Sequence, residues 1–160
     1  MNTRVGVALS GLVIVCACGS SGSEPGEKPR QCLSAPASVD LTQPEISFNT
    51  TVVPIVQRTC SLPACHADEK LSLGIYLPKD PAKIHQAMLA PATSSLKLDF
   101  VKAGAPEESF LMHKLDGTHC ALDKDCAKGA CGQEMPPGEL LSVADRDNVR
   151  RWIAQGAKNN

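Results

Sequence analysis

The chain of 160 residues is 42% hydrophobic and 21% charged, which leaves room for one ordinary globular domain with appendages and excludes a multidomain protein. Its 16 basic and 17 acidic side chains give a net charge of -1, without the cationic excess that phosphate backbones demand, so nucleic acid is not an expected partner. Eight cysteines in a chain with only 3% aromatic residues point outside a reducing cytosol.

Residues 1–17 read as an export signal, with Arg4 in a short positive start and an apolar run from Val5 to Val15 that is far below the ~20 residues of a membrane span. The run Val15-Cys16-Ala17-Cys18-Gly19 resembles the bacterial lipoprotein signal, in which a small residue precedes a lipidated cysteine. Cys18 stands in that register, whereas Cys16 would follow the bulky Val15. Gly19 is similar to the residue that sends such lipoproteins to an outer membrane. The expectation is an exported chain held on the bacterial envelope by acyl chains, each buried methylene adding ~0.8 kcal/mol. Residues 18–47 are rich in Ser, Gly, Pro and charge and read as a flexible tether. Cys32 interrupts it, and a lone thiol there is expected to be pinned to the domain by a disulfide.

The folded domain is expected over residues 48–160, all-α and helical with long loops. Asn49 or Thr50 is placed to cap a first helix carrying Val52, Val53, Ile55 and Val56, with Pro54 in its first turn. Leu71, Leu73 and Leu77 around Gly74 read as a loop with buried leucines. Asp80 and Pro81 open a short helix through His85, Met88 and Leu89, and Pro91 ends it. Pro106 to Leu115 forms another, with Phe110, Leu111 and Leu115 on one face and Gly117 as its stop. Ser142 to Asp145 approximates a capping box ahead of a last helix whose Val149, Trp152 and Ile153 share a face up to Gly156.

The chemistry concentrates in Cys60-Ser61-Leu62-Pro63-Ala64-Cys65-His66, a C-x4-C-H run. The c-type haem signature is C-x2-C-H, in which two thiols bond the haem vinyl groups and the adjacent imidazole binds iron. On a helix, positions five apart lie about 140° apart, so both thiols reach one face only where the backbone bulges, and Pro63 favours a bulge. A zinc site from Cys60, Cys65, His66 and a further cysteine is the metal alternative. Met135, followed by Pro136 and Pro137, offers a soft thioether on a stiffened loop, while Met88 and Met112 read as packing. His85, His113 and His119 are rivals for a distal metal bond.

From Phe48 to Ala157 the chain resembles the small cytochrome c-like domains of exported planctomycete and myxobacterial proteins. The resemblance is carried by the order of Val53-Pro54-Ile55-Val56, Cys65-His66, Val101 to Leu111, Met135-Pro136-Pro137 and Arg151 to Ala157, and the C-x4-C-H run resembles attachment sites in some multihaem cytochromes. It implies one covalent haem c per chain, with Cys60 and Cys65 as thioethers, His66 as proximal and Met135 as distal iron ligand. If haem takes those two cysteines and lipid takes Cys18, then Cys32, Cys120, Cys126 and Cys131 remain as an even set for two disulfides, with three pairings open.

Two functions follow as expectations. One is a membrane-anchored monohaem c-type cytochrome that passes single electrons to or from redox partner proteins that the residues do not name. The other is a haem-free, disulfide-stapled lipoprotein of the same fold, acting as a binding or envelope-structure module. Neither is an enzyme, and no nucleophile motif such as G-x-S-x-G is present.

Overall fold

The computed structural model describes residues 32–70, 72, 74–90, 98–126 and 129–160, all helix, turn and loop with no strand among them. The signal segment, Cys18 and the tether up to residue 31 lie outside the described residues, as do Leu71, Leu73 and Pro91. No helix among the described residues is long and apolar enough to cross a membrane.

The chain turns helical two or three residues earlier than the sequence suggests. Ser47, rather than Asn49 or Thr50, is the cap: its Oγ accepts from the Thr50 amide at 3.3 Å, and a wide helical turn over Phe48–Val52 leads into α1 (Val53–Thr59). Pro54 sits in the first turn of α1, where no amide partner is needed, and Val53, Ile55 and Val56 face inward. Helix α2 (Pro81–Met88) starts where Asp80 Oδ1 takes the Lys83 amide at 2.9 Å. Pro106–Glu108 forms a tight turn of its own, after which Ser109 interrupts and α3 (Phe110–Asp116) begins. Gly117 closes α3 at φ 69, where a side chain would also strike Leu33, whose Cδ1 lies 2.7 Å from the place a Cβ would take. A second tight helical turn, His119–Asp125, follows directly.

Helix α4 (Val143–Ala154) is capped by Ser142, whose Oγ accepts from the Asp145 amide at 3.1 Å. The Asp145 carboxylate pairs with Arg58 at 2.5 Å, joining the end of α1 to the start of α4. Trp152 is the centre of the core: its ring lies 5.2 Å from that of Phe48, which in turn meets His85 edge-on at 5.0 Å. Around them Val52, Ile84, Met88, Leu115 and Ile153 are almost fully buried, each contributing roughly 1.5–3 kcal/mol on leaving water.

A charged knot ties α3 to α4. Asp116, 7% exposed, meets Arg146 at 2.9 Å and Arg150 at 2.5 Å, and Arg150 also reaches Asp147 at 2.8 Å. Removing one member of such a buried set costs about 3–5 kcal/mol, because the partner charges stay behind unpaired.

The segment 32–47, expected as part of the tether, lies along the domain. Cys32 is bonded to Cys120, and the Leu33 amide donates to the Gly117 carbonyl at 3.2 Å. Gln155 holds the rest: its Nε2 donates to the carbonyls of Leu41 and Pro44 at 3.1 and 3.0 Å, and its Oε1 accepts from the Ile46 amide at 2.8 Å. Ile46 is only 6% exposed, so the folded unit extends from Phe48 back to Cys32.

Candidate functional site

At the end of α1 the chain solves the problem posed by two thiols five positions apart. The amides of Cys60 and Ser61 both donate to the Val56 carbonyl at 2.8 Å, which ends the helix. Leu62 to Cys65 then fold as a tight turn, with the Cys65 amide on the Leu62 carbonyl at 2.9 Å. The turn brings the His66 amide back to the Cys60 carbonyl at 3.1 Å. The two extra residues are thus taken up by a local loop, and Cys60, Cys65 and His66 all face the same cavity.

That cavity has a volume of about 170 Å³. Its wall is almost wholly apolar, with Leu77, Phe100, Phe110, Leu111 and Leu115 among the residues that close it. Met135, Pro136 and Pro137 form another part of its wall. The sequence therefore brings together, from two distant segments, the four side chains expected to act as one site.

His66 is held by its neighbours. Its main-chain carbonyl accepts from the Leu77 amide at 2.7 Å, and its ring Nδ1 lies 2.7 Å from the Ile75 carbonyl oxygen. A carbonyl only accepts, so Nδ1 carries a proton, and in the neutral ring the lone pair stands on Nε2. This is the second-neighbour arrangement that orients metal-binding histidines and raises their basicity. Burial pushes the Cys60 thiol pKa up, with the nearby Cys65 adding to the effect and a contact from the Thr59 hydroxyl opposing it, so Cys60 stays protonated in this wall.

The remaining cysteines among the described residues are paired. Cys32–Cys120 and Cys126–Cys131 are the disulfides, one of the three pairings the sequence left open, while Cys60 and Cys65 are free. Among the described residues no group of three or more His, Cys, Asp or Glu side chains gathers as a metal site, and every other described cysteine that could complete a zinc tetrahedron is in a disulfide.

The rival histidines are engaged elsewhere. His85 Nε2 donates to the Ala157 carbonyl at 2.8 Å, and His113 Nε2 donates to the Glu107 carbonyl at 3.0 Å. His119 Nε2 donates to the Gly132 carbonyl at 3.0 Å. None of the three lines the cavity.

Some lining residues escaped the sequence reading, among them Ile75, whose carbonyl holds His66, and Lys114. Lys114, four residues after Phe110 on α3, is only 5% exposed, and its ammonium lies 5.7 Å from the centre of the Phe110 ring. The i, i+4 spacing from Phe110 was the available signal, but a helical lysine reads as a solvent-facing one.

No protein-family model, curated protein or solved structure matches the chain.

Proposed function

We propose that the protein is a membrane-anchored monohaem c-type cytochrome that passes single electrons between redox proteins. The observation that carries this reading is the convergence of Cys60, Cys65, His66 and Met135 on one apolar cavity, with the other four described cysteines consumed in disulfides. When bound, haem would supply a one-electron iron couple whose potential depends on axial ligands and burial.

The chain's own residues fit that group by their donor chemistry and by the apolar wall. Cys60 and Cys65 offer two free thiols for thioether bonds. His66, oriented by Ile75, offers Nε2 as the proximal ligand. Met135 offers a neutral sulfur that favours the reduced metal. The phenylalanines and leucines of the wall keep water from the site and so lower its local dielectric. The cavity is smaller than the roughly 300–1,000 Å³ of sites that enclose whole ligands, so the fit rests on donors and lining and not on volume.

The deciding experiment is production in a cell with a functioning haem-attachment system. Wild-type protein should carry haem that survives a denaturing gel, and Cys65→Ala should lose it. A wild-type chain without haem would leave the haem-free, disulfide-stapled lipoprotein as the better reading. Lipid anchorage is tested separately: Cys18→Ser should accumulate unprocessed precursor and leave the domain unacylated, and acylation retained in that variant would move the anchor to Cys16.

A further inference from the structure

Three consecutive carbonyls of the loop before Met135 are each held by a buried side chain. Lys114 Nζ donates to the Cys131 carbonyl at 2.8 Å and to the Gln133 carbonyl, and His119 Nε2 donates to the Gly132 carbonyl between them at 3.0 Å. The main chain of Lys114 completes the hold, because its carbonyl accepts from the Met135 amide at 3.0 Å. Asp123 Oδ1 takes the Cys131 amide at 2.8 Å, fixing the start of the same loop beside the Cys126–Cys131 disulfide. Lys114 and His119 are 5% and 4% exposed.

Taking an ammonium out of water is costly unless its donors are satisfied, and here two of the three go to carbonyls of the loop that carries Met135. The same lysine forms part of the cavity wall. One residue thus touches the cavity and holds the loop on both sides of Gly132 through its side chain, and holds Met135 through its main chain.

We propose that Lys114 is a positioning residue for Met135, with His119 as its second, so that the pair sets where the thioether stands at the cavity. The role in iron ligation rests on the haem reading of the cavity, whereas the hold on the loop does not. Lys114 touches no reacting atom in this account. It acts through the carbonyls of residues 131 and 133.

The test uses the full chain in two forms. In haem-free protein, hydrogen exchange over residues 131–137 is compared with exchange over α4 in wild type and Lys114→Leu. The loop should exchange roughly ten- to a hundredfold faster in the variant, with α4 unchanged. In haem-loaded protein, Lys114→Leu should keep its covalent haem but lose most of the methionine–iron absorption band, fall in potential and take up added imidazole. Lys114→Arg, which still donates to carbonyls, should restore the band. Unchanged exchange over 131–137 in Lys114→Leu overturns the proposal, and so does a band of full strength in that variant. If Lys114→Leu also exchanges rapidly in α4, His119→Phe takes its place, since it removes only the donor to Gly132; unchanged loop exchange there overturns the proposal equally. A wild-type chain that takes up no haem overturns the reading of the cavity, and the exchange comparison then decides the loop hold alone.

Discussion

The amide of His66 donates to the carbonyl of Cys60 at 3.1 Å, six positions back along the chain. That bond closes the C-x4-C-H run into a loop whose ends stand beside the cavity, so the extra two residues lengthen the loop without separating the thiols from the imidazole. The run is a helix end followed by a turn and not a distorted helix.

If the cavity holds haem as proposed, Met135 should be replaceable without loss of attachment. Met135→Ala is expected to keep covalent haem on a denaturing gel, to lower the potential and to open the iron to water or an added ligand. An unchanged spectrum and potential would remove Met135 from the site. It would return the search to the histidines, although His85, His113 and His119 all lie outside the cavity wall.

The two disulfides should differ in weight. By the chain-entropy argument, Cys32–Cys120, with a separation of 88, contributes roughly 4–5 kcal/mol. Cys126–Cys131, with a separation of 5, contributes about 2 kcal/mol. Denaturant unfolding of the double variants Cys32→Ser/Cys120→Ser and Cys126→Ser/Cys131→Ser measures both. Equal losses, or a larger loss from the short bridge, would show that native contacts and not loop closure set the ranking.

Stability should depend on pH through His119. Its burial, reinforced by the Lys114 ammonium, holds the imidazole pKa below the usual 6.5, while the Gly132 carbonyl, Glu134 and Asp123 pull the other way. As pH falls through about 6.5 the unfolded chain takes up its proton first and the folded chain only later, so stability falls across that window and levels off below the folded value. Unfolding midpoints between pH 7.5 and 5 should show this slope, and His119→Gln should flatten it. Identical slopes in the two proteins would assign the dependence elsewhere. Asp145, whose carboxyl the Arg58 guanidinium holds below 3.8, contributes stability that is lost only at lower pH, outside that range.

The helices were legible where a cap or stop is written in local chemistry. Asp80-Pro81, Ser142 and Gly117 each act within three residues of themselves, and each stands where the sequence places it. The first cap was misplaced by two or three residues because Ser47, Asn49 and Thr50 are all competent, and the choice is made at a distance: the Phe48 and Asn49 amides are already taken by Asn160. The segment 32–47 read as tether because its composition is polar. What fixes it is Gln155 gripping main-chain carbonyls, a contact that leaves no trace in the gripped residues. The cavity residues were legible as a set through their types and order. The placement of Lys114 was not, because its partners lie 17 and 19 positions downstream in a loop without a pattern.

The bond between Cys32 and Cys120 also sets a path for mechanical load. A pull on the chain ahead of Cys32, resisted anywhere beyond Cys120, passes through sulfur directly into the turn at His119–Asp125. The intervening stretch, with a separation of 88, lies in a covalent loop that this bridge bypasses, so its main chain is not part of the covalent path. Cys60, Cys65 and His66 belong to that bypassed loop, whereas Met135 lies on the loaded side. Under strain the thiol and imidazole half of the cavity would keep its shape, and the methionine loop would be the part to yield.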